Sequence, residues 1–217
     1  MIDWVWIARD ICLIVYYEYI QKKVIYFSFY GAESYECIRD DLLVLKQQFR
    51  YNIESFTVDG SKQIKKAIQE VYSKSIVQRC LTHIHRQVHN YNSKNPQSEC
   101  WRELQRIVTF ENFKDKQEFE KLFNNWNEKY KEFLKEKSSK GSRTWYTHRR
   151  LRQARSHLKF ALPHMFHYIE NKKIKRSTND LEWYNWVLSD NIYAHRWLNK
   201  KRLINFISLW IYNRNLK

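Results

Sequence analysis

The sequence predicts a mixed α/β fold in its first 90 residues and an almost wholly helical remainder. Two runs rich in β-branched and aromatic residues, ICLIVYYEY and KVIYFSFY, lie on either side of a short polar stretch, as in a hairpin of two buried strands. From Ser34 onward, apolar residues recur every three or four positions in SYECIRDDLLVLKQQF, which is typical of an amphipathic helix. Glycine (3) and proline (2) are scarce, which disfavours Gly-rich phosphate loops and many-turned all-β folds.

The order of the remaining segments extends this fold class. The first residues, MIDWVWI, resemble the tail of a strand, and after the helix come strand SFTVDG, helix SKQIKKAIQEVY, strand SIVQRC and helix LTHIHRQVHN. Residues 1–90 thus run strand, strand, strand, helix, strand, helix, strand, helix. This order predicts a mixed sheet in which helical crossovers add parallel strands to a hairpin.

The character of the chain changes from Asn92, after which a polar connection leads into helical patterns. An apolar stripe from Phe119 to Leu134 is followed by a break at Ser138–Ser142, the basic helix TWYTHRRLRQARSHLKF, and a short helix opened by Pro163. A helix that contains Glu182 and an amphipathic helix KKRLINFISLWIYN complete the chain. We therefore predict a core in residues 1–91, a helical insertion in 92–172, and C-terminal helices in 173–217 that complete the core.

The net charge implies a polyanionic partner. The chain has 39 Lys and Arg against 23 Asp and Glu, a net charge of +16, with nucleic acid as the first candidate and an anionic membrane surface as the second. The longest uncharged apolar run near the start, Ile11 to Tyr17, is too short to span a bilayer. The four cysteines show no paired spacing and are expected to be reduced thiols of a cytoplasmic protein.

Basic residues interleaved with aromatic ones indicate nucleic-acid contact in three runs, TWYTHRRLRQARSHLK, NKKIKR and HRWLNKKR. Lys and Arg neutralise phosphates, and Trp or Tyr can stack on unpaired bases. A solvated basic helix face is the alternative for any single run. The candidate DNA-binding residues are Arg149, Arg150, Arg152, Lys175, Arg176, Arg196, Lys200 and Lys201.

Three acids form a candidate catalytic set: Asp3, Asp59 and Glu182. Converging carboxylates repel one another unless divalent cations lie between them, and hard oxygen ligands suit Mg²⁺ or Mn²⁺. A pair of such ions can stabilise the attacking and leaving oxygens of a phosphoryl displacement. Each acid also has a plainer interpretation, because Asp59 precedes Gly60 in a common turn pair and Glu182 lies in a helix first turn, where carboxylates are favoured. Spacing alone does not show that the three acids meet.

A cluster of Cys80, His83, His85 and His89 invites a zinc interpretation. Residues two apart on a helix point to nearly opposite faces, so one helix cannot direct all four side chains at one metal. We favour a reduced core Cys80 with a buried, hydrogen-bonded His83.

The order of a strand Asp, a hairpin, VDG, QRCLTHIHR, a helical insertion and TNDLE resembles the catalytic domain of DDE transposases of the Mutator-like type, including those of bacterial insertion sequences. The resemblance implies a ribonuclease-H-like fold with an all-helical insertion before the last acid. It implies that Asp3, Asp59 and Glu182 bind two Mg²⁺ or Mn²⁺ ions, and that Cys80 and His83 match a CxxH motif that supports the site. It also implies hydrolysis at transposon ends followed by strand transfer to target DNA. The implied location is the cytoplasm, or the nucleoid of a bacterial cell, and one implied arrangement is a homo-oligomer bound to DNA.

The chain departs from this pattern at its start. Asp3 is only the third residue and is followed by Trp4, where the family pattern has a small residue. We therefore expect a shortened first strand and a chain that corresponds to the C-terminal part of a longer transposase. The competing interpretations are a non-catalytic nucleic-acid-binding remnant of the family and an unrelated basic RNA-binding protein, which would not bring the three acids together.

Overall fold

The computed structural model describes residues 1–91 and 97–216, which divide into two compact units. Unit 1 comprises Met1–Gln78 and Ser177–Lys217, and unit 2 comprises Arg79–Arg176. The predicted boundaries after residues 91 and 172 stay a prediction. Part of the polar connection predicted between the core and the insertion, residues 92–96, lies outside the described residues.

The strands, in chain order, are β1 (Ile2–Ala8), β2 (Ile11–Glu18), β3 (Lys23–Tyr30), β4 (Ser55–Val58), β5 (Ile76–Arg79), β6 (Lys137–Lys140) and β7 (Arg143–Tyr146). The helices are α1 (Tyr35–Gln47), α2 (Lys62–Val71), α3 (Leu81–Asn90), α4 (Glu99–Ile107), α5 (Lys116–Lys129), α6 (Arg149–Ala161), α7 (His167–Glu170), α8 (Asn179–Ala194) and α9 (Lys200–Asn215). Short 3₁₀ turns cover Asn112–Lys114, Phe133–Lys135 and Leu162–His164. The mixed α/β class and the element order predicted for residues 1–90 are confirmed.

Unit 1 is built around a three-stranded antiparallel sheet in which β2 lies between β1 and β3. The strands β4 and β5 form a separate two-stranded sheet, with β4 beside β1. The hydrogen-bonded ladders therefore form two small sheets, where the sequence predicted one mixed sheet.

The central strand β2 buries both of its faces, which explains its unbroken apolar run. Ile14 and Tyr16 face one cluster of apolar side chains with α1, α2 and β4, while Leu13 and Val15 face another with α8 and α9. Successive side chains of a strand point to opposite faces, so one strand supplies both clusters. Unit 1 therefore places α1 and α2 on one side of its sheet and α8 and α9 on the other.

Unit 2 is a helical cluster whose core is formed mainly by α3, α4, α5 and α6. Trp126 of α5 is 2% exposed, and its indole N–H donates to the carbonyl oxygen of Cys100 at 2.9 Å. The predicted apolar stripe on Phe119, Phe123 and Trp126 faces this core. The predicted helical character of this region is thus found over most of its length.

A β-hairpin interrupts the helices of unit 2 and corrects the expectation of an all-helical insertion. Strands β6 and β7 pair antiparallel from Lys137↔Tyr146 to Lys140↔Arg143, where the sequence predicted a break followed by a helix from Thr144. Gly141 has φ +61° at the first position of the two-residue turn, as a type II′ hairpin turn requires. The basic helix consequently begins at Arg149.

Within residues 1–91 and 97–216, no helix combines the length and apolar character needed to cross a bilayer.

Candidate metal centre in unit 1

The first acid, Asp3, is held in a paired strand. Strand β1 has seven residues and is paired from Ile2 onward, with Asp3 opposite Val15 of β2. The N–H of Tyr17 also donates to the carbonyl oxygen of Met1 at 2.9 Å, one residue before the strand. Strand β1 is therefore paired with β2 on both sides of Asp3, while a first strand shorter than that of the family stays a prediction.

The second acid, Asp59, follows the buried strand β4 directly. Its carboxylate oxygen Oδ1 accepts a hydrogen bond from the backbone N–H of Ser61 at 2.8 Å. Gly60 between them has φ +104°, a conformation that side-chain-bearing residues rarely adopt. The Asp-Gly pair thus forms a turn that leads into α2, and the same turn fixes the carboxylate of Asp59 at the end of its strand.

The third acid, Glu182, lies in the first turn of α8. Thr178 occupies the N-cap position, but its hydroxyl makes no capping bond to the helix backbone. Instead, it donates to Oε1 of Glu182 at 3.0 Å. Thr178 is only 2% exposed, so this hydrogen bond restrains the half-buried carboxylate from the protein side.

A hydrogen bond between Asn185 and Asp3 links the helix of the third acid to the strand of the first. The side-chain Nδ2 of Asn185 donates to Oδ2 of Asp3 at 2.8 Å, and α8 packs against β1. Residues three apart on a helix are surface neighbours, so Glu182 lies one turn from the residue that contacts Asp3. Asn185 is 6% exposed, and its carbonyl Oδ1 has no hydrogen-bond partner within the described parts of the chain.

A further acid near this set, Glu33, was missed by sequence analysis. Burial raises the pKa of its carboxyl group above the ordinary value, and the negative charges of Asp59 and Asp3 raise it further. Burial, Glu33 and Asp3 also contribute to raising the pKa of the Cys12 thiol to about 11. Glu33 lies three residues after the end of β3, and an acid close to a strand end is the signal that could have identified it.

The residues of the CxxH motif lie at the start of α3, in unit 2. Cys80 is fully buried at the N-cap position, and His83 is half-buried in the first turn. The ring of His85 stacks on His89, with centroids 4.2 Å apart, and on Phe110 at 4.8 Å. The two later histidines therefore serve in ring packing, consistent with the argument against one helix-borne zinc site, while support of the acids by Cys80 and His83 stays a prediction.

The candidate DNA-binding residues lie in both units, and several of them contact other groups of the protein. Arg149 and Arg150 are exposed at the start of α6, and Lys175, Arg176 and Lys201 are exposed elsewhere. Arg152 donates to the carbonyl oxygen of Leu134 at 2.8 Å and lies over the Tyr146 ring. In unit 1, the guanidinium of Arg196 lies 5.2 Å from the ring centroid of Tyr193, and Lys200 pairs with Asp10.

Residues 20–185 match the sequence model of a family described as "Transposase, Mutator family". The match covers well over half of the chain, and the protein belongs to this family. The matched span includes Asp59, Cys80, His83 and Glu182, whereas Asp3 lies before it. No curated protein matches the chain.

Proposed function

We propose that the protein is a transposase catalytic domain that cleaves DNA at transposon ends and joins the freed 3′-hydroxyl to target DNA, with Asp3, Asp59 and Glu182 as ligands of two divalent metal ions. The observation that carries the proposal is the hydrogen bond from Asn185 to Asp3. It joins the strand of the first acid to the helix of the third, and β4, which precedes Asp59, lies beside the same strand.

The donor chemistry of these acids fits Mg²⁺ or Mn²⁺. Both ions prefer carboxylate oxygens, and both keep open positions for water and phosphate. The negative charges of Asp59 and Asp3, which help to raise the pKa of Glu33, support the fit, because neighbouring carboxylates are costly to ionise unless a cation compensates them. When bound, two such ions would stabilise the attacking and leaving oxygens of an in-line displacement at phosphorus.

The remaining contribution of the chain is positioning. Asn185 holds one oxygen of Asp3, Thr178 holds one oxygen of Glu182, and the backbone of Ser61 holds one oxygen of Asp59. Each contact restrains the rotation of a carboxylate. Phosphoryl transfer is catalysed almost entirely by positioning and charge stabilisation, so restrained ligands are what this chemistry requires.

We also propose that unit 1 has a ribonuclease-H-like core. Three antiparallel strands followed by α1, β4 and α2, with β4 adjacent to β1, support this assignment. The acids at β1, after β4 and on α8 are then parts of one site. Family membership argues against an unrelated RNA-binding protein and leaves a non-catalytic DNA-binding relative as the alternative.

Strand cleavage and joining on transposon-end DNA with Mg²⁺ or Mn²⁺ test this proposal. We expect Asp59→Ala and Glu182→Ala to lower the rate by about 10³-fold or more, since metal ions contribute several kcal/mol to the barrier reduction. An exposed acid on the same helix, Asp190, provides the matched control Asp190→Ala, which should keep wild-type rates. Equal activity in wild type, Asp59→Ala and Glu182→Ala would show that these acids are not catalytic. Absence of cleavage by wild type would favour a non-catalytic DNA-binding relative.

A further inference from the structure

The excess positive charge of the chain is concentrated in unit 2. Residues 79–176 contain 23 Lys and Arg against 10 Asp and Glu, whereas unit 1 contains 16 against 13. The segment from Lys137 to Ile169 contains eight Lys and Arg and no acid. This acid-free segment includes the β6–β7 hairpin and all of α6.

The hairpin presents its charges and aromatic rings to solvent. Lys137, Lys140 and Arg143 are exposed, and Trp145 and Tyr146 are 47% and 39% exposed. A hairpin placed this openly contributes little to the core of unit 2, whose apolar cluster includes neither β6 nor β7.

The hairpin continues into the start of α6 as one surface. The guanidinium of Arg152 lies 3.6 Å from the ring centroid of Tyr146, which fixes the second strand to the helix. An open cavity of about 450 Å³ lies between them, and Tyr146, Arg149, Arg152 and His157 contribute to its lining. The acid that immediately precedes the segment, Glu136, is already engaged by the protein, because its carboxylate lies 2.8 Å from a ring nitrogen of His148.

We propose that the β6–β7 hairpin and the first turn of α6 bind single-stranded DNA, with Lys140, Arg143 and Arg149 contacting phosphates and Trp145 stacking on an unpaired base. The charge of the segment is complementary to a phosphate backbone. Only unpaired bases expose a face to an aromatic side chain, and stacking of this kind tolerates any base. The inference rests on the DNA-directed role in the proposed function but requires no divalent ion.

The phosphate contacts are tested by fluorescence anisotropy of a labelled oligonucleotide, single-stranded or duplex, in EDTA over a series of salt concentrations. The full-length variant Lys140→Gln/Arg143→Gln should lower the slope of log affinity against log salt on single strands by about 1.4, since each phosphate contact contributes about 0.7. The matched control is Lys131→Gln/Lys135→Gln. It removes the same charge from unit 2, but at lysines already paired with Glu128 and Glu132, and it should keep the wild-type slope.

A hairpin variant that binds like this control would overturn the inference. Thermal melts followed by circular dichroism establish that each variant is folded. Arg149→Gln/Arg150→Gln, on the adjoining helix turn, provides a second reduction of charge outside the hairpin. It should also lower the slope, and an unchanged slope in both double variants contradicts the proposed surface independently of hairpin stability.

The stacking contact is tested by Trp145→Ala. We expect it to weaken binding of single strands about 5- to 150-fold, the range for loss of one base–aromatic contact, and to change duplex binding little. Phe160→Ala removes an aromatic ring that is 78% exposed on α6 and should change neither affinity. Equal weakening of single-stranded and duplex binding by Trp145→Ala contradicts base stacking. Because EDTA removes divalent ions, failure of the metal-site proposal leaves these affinities unchanged.

Discussion

Unit 1 and unit 2 handle charge in different ways. In unit 1, bases and acids nearly balance, and the carboxylates proposed as metal ligands are held by Asn185, Thr178 and the turn at Ser61. In unit 2, bases outnumber acids by more than two to one, and its hairpin presents them to solvent. Catalysis at a phosphate requires a few charged groups held in fixed positions. Attraction of a polyanion requires many charged side chains, which can stay exposed and mobile.

Removal of the Asn185 side chain tests whether its hydrogen bond restrains Asp3 for metal binding. We expect Asn185→Ala to weaken the apparent affinity for Mn²⁺ by about 10- to 100-fold, because residues that orient a metal ligand commonly contribute this much. Cleavage measured over a range of Mn²⁺ concentrations should show a raised requirement for metal with partial recovery of rate at high metal, which a general loss of structure would not give.

The matched control for this prediction lies on the same helix. The side chain of Asn191 also donates to α8 through its amide, but to the backbone carbonyl of Val187 at 2.7 Å. Asn191→Ala should therefore leave the metal requirement unchanged. If both alanine variants shift it equally, Asn185 acts through the stability of α8 and does not position Asp3.

Unit 2 is expected to lose a small part of its folding stability when the pH is lowered. Burial, and then the positive charge of Arg79, lower the pKa of His157 from 6.5 to about 4. Between about pH 4 and pH 6.5, His157 therefore binds a proton in the unfolded chain but not in the folded unit. Stability is therefore lost as the pH falls from about 6.5 to about 4. Allowing for solvent screening of this half-buried ring, we expect a loss of about 1–2 kcal/mol.

Hydrogen exchange of the amides in Arg149–Ala161, measured from pH 4 to 7 and corrected for the intrinsic exchange rate, reports this loss. His157→Gln should flatten the pH dependence of their protection. The same substitution at His195, in unit 1, should leave it as in wild type. If protection in His157→Gln depends on pH as steeply as in wild type, another group governs the acid sensitivity of unit 2.

Local sequence patterns were sufficient for most elements of the fold. Alternation and apolar runs predicted β1 to β3, and helical spacing predicted α1, α2 and α3, because each of these elements buries a face. The hairpin β6–β7 was missed because its residues are largely exposed and its KSSK strand has no apolar alternation. Its Gly-Ser turn pair was the available signal.

The site could be predicted only as a set of residue types. Sequence patterns indicated the strand positions of Asp3 and Asp59 and the helical position of Glu182, but not the partners that restrain them. Asn185 acts on an acid 182 positions away, and no local spacing reports such a contact. Thr178 was expected to cap α8, and its hydroxyl donates to Glu182 instead, because the half-buried carboxylate oxygen competes for the same donor.

Calorimetric titration of Mn²⁺ tests whether unit 1 binds divalent cations through its acids. Wild type and the control Asp190→Asn, which removes an exposed acid of α8, should bind Mn²⁺ with the same affinity. Asp59→Asn keeps the shape of the side chain but removes its charge, and it should weaken binding by about 10-fold or more. Equal Mn²⁺ affinities in Asp59→Asn and wild type, or no measurable binding by wild type, would show that these acids do not form a divalent-cation site.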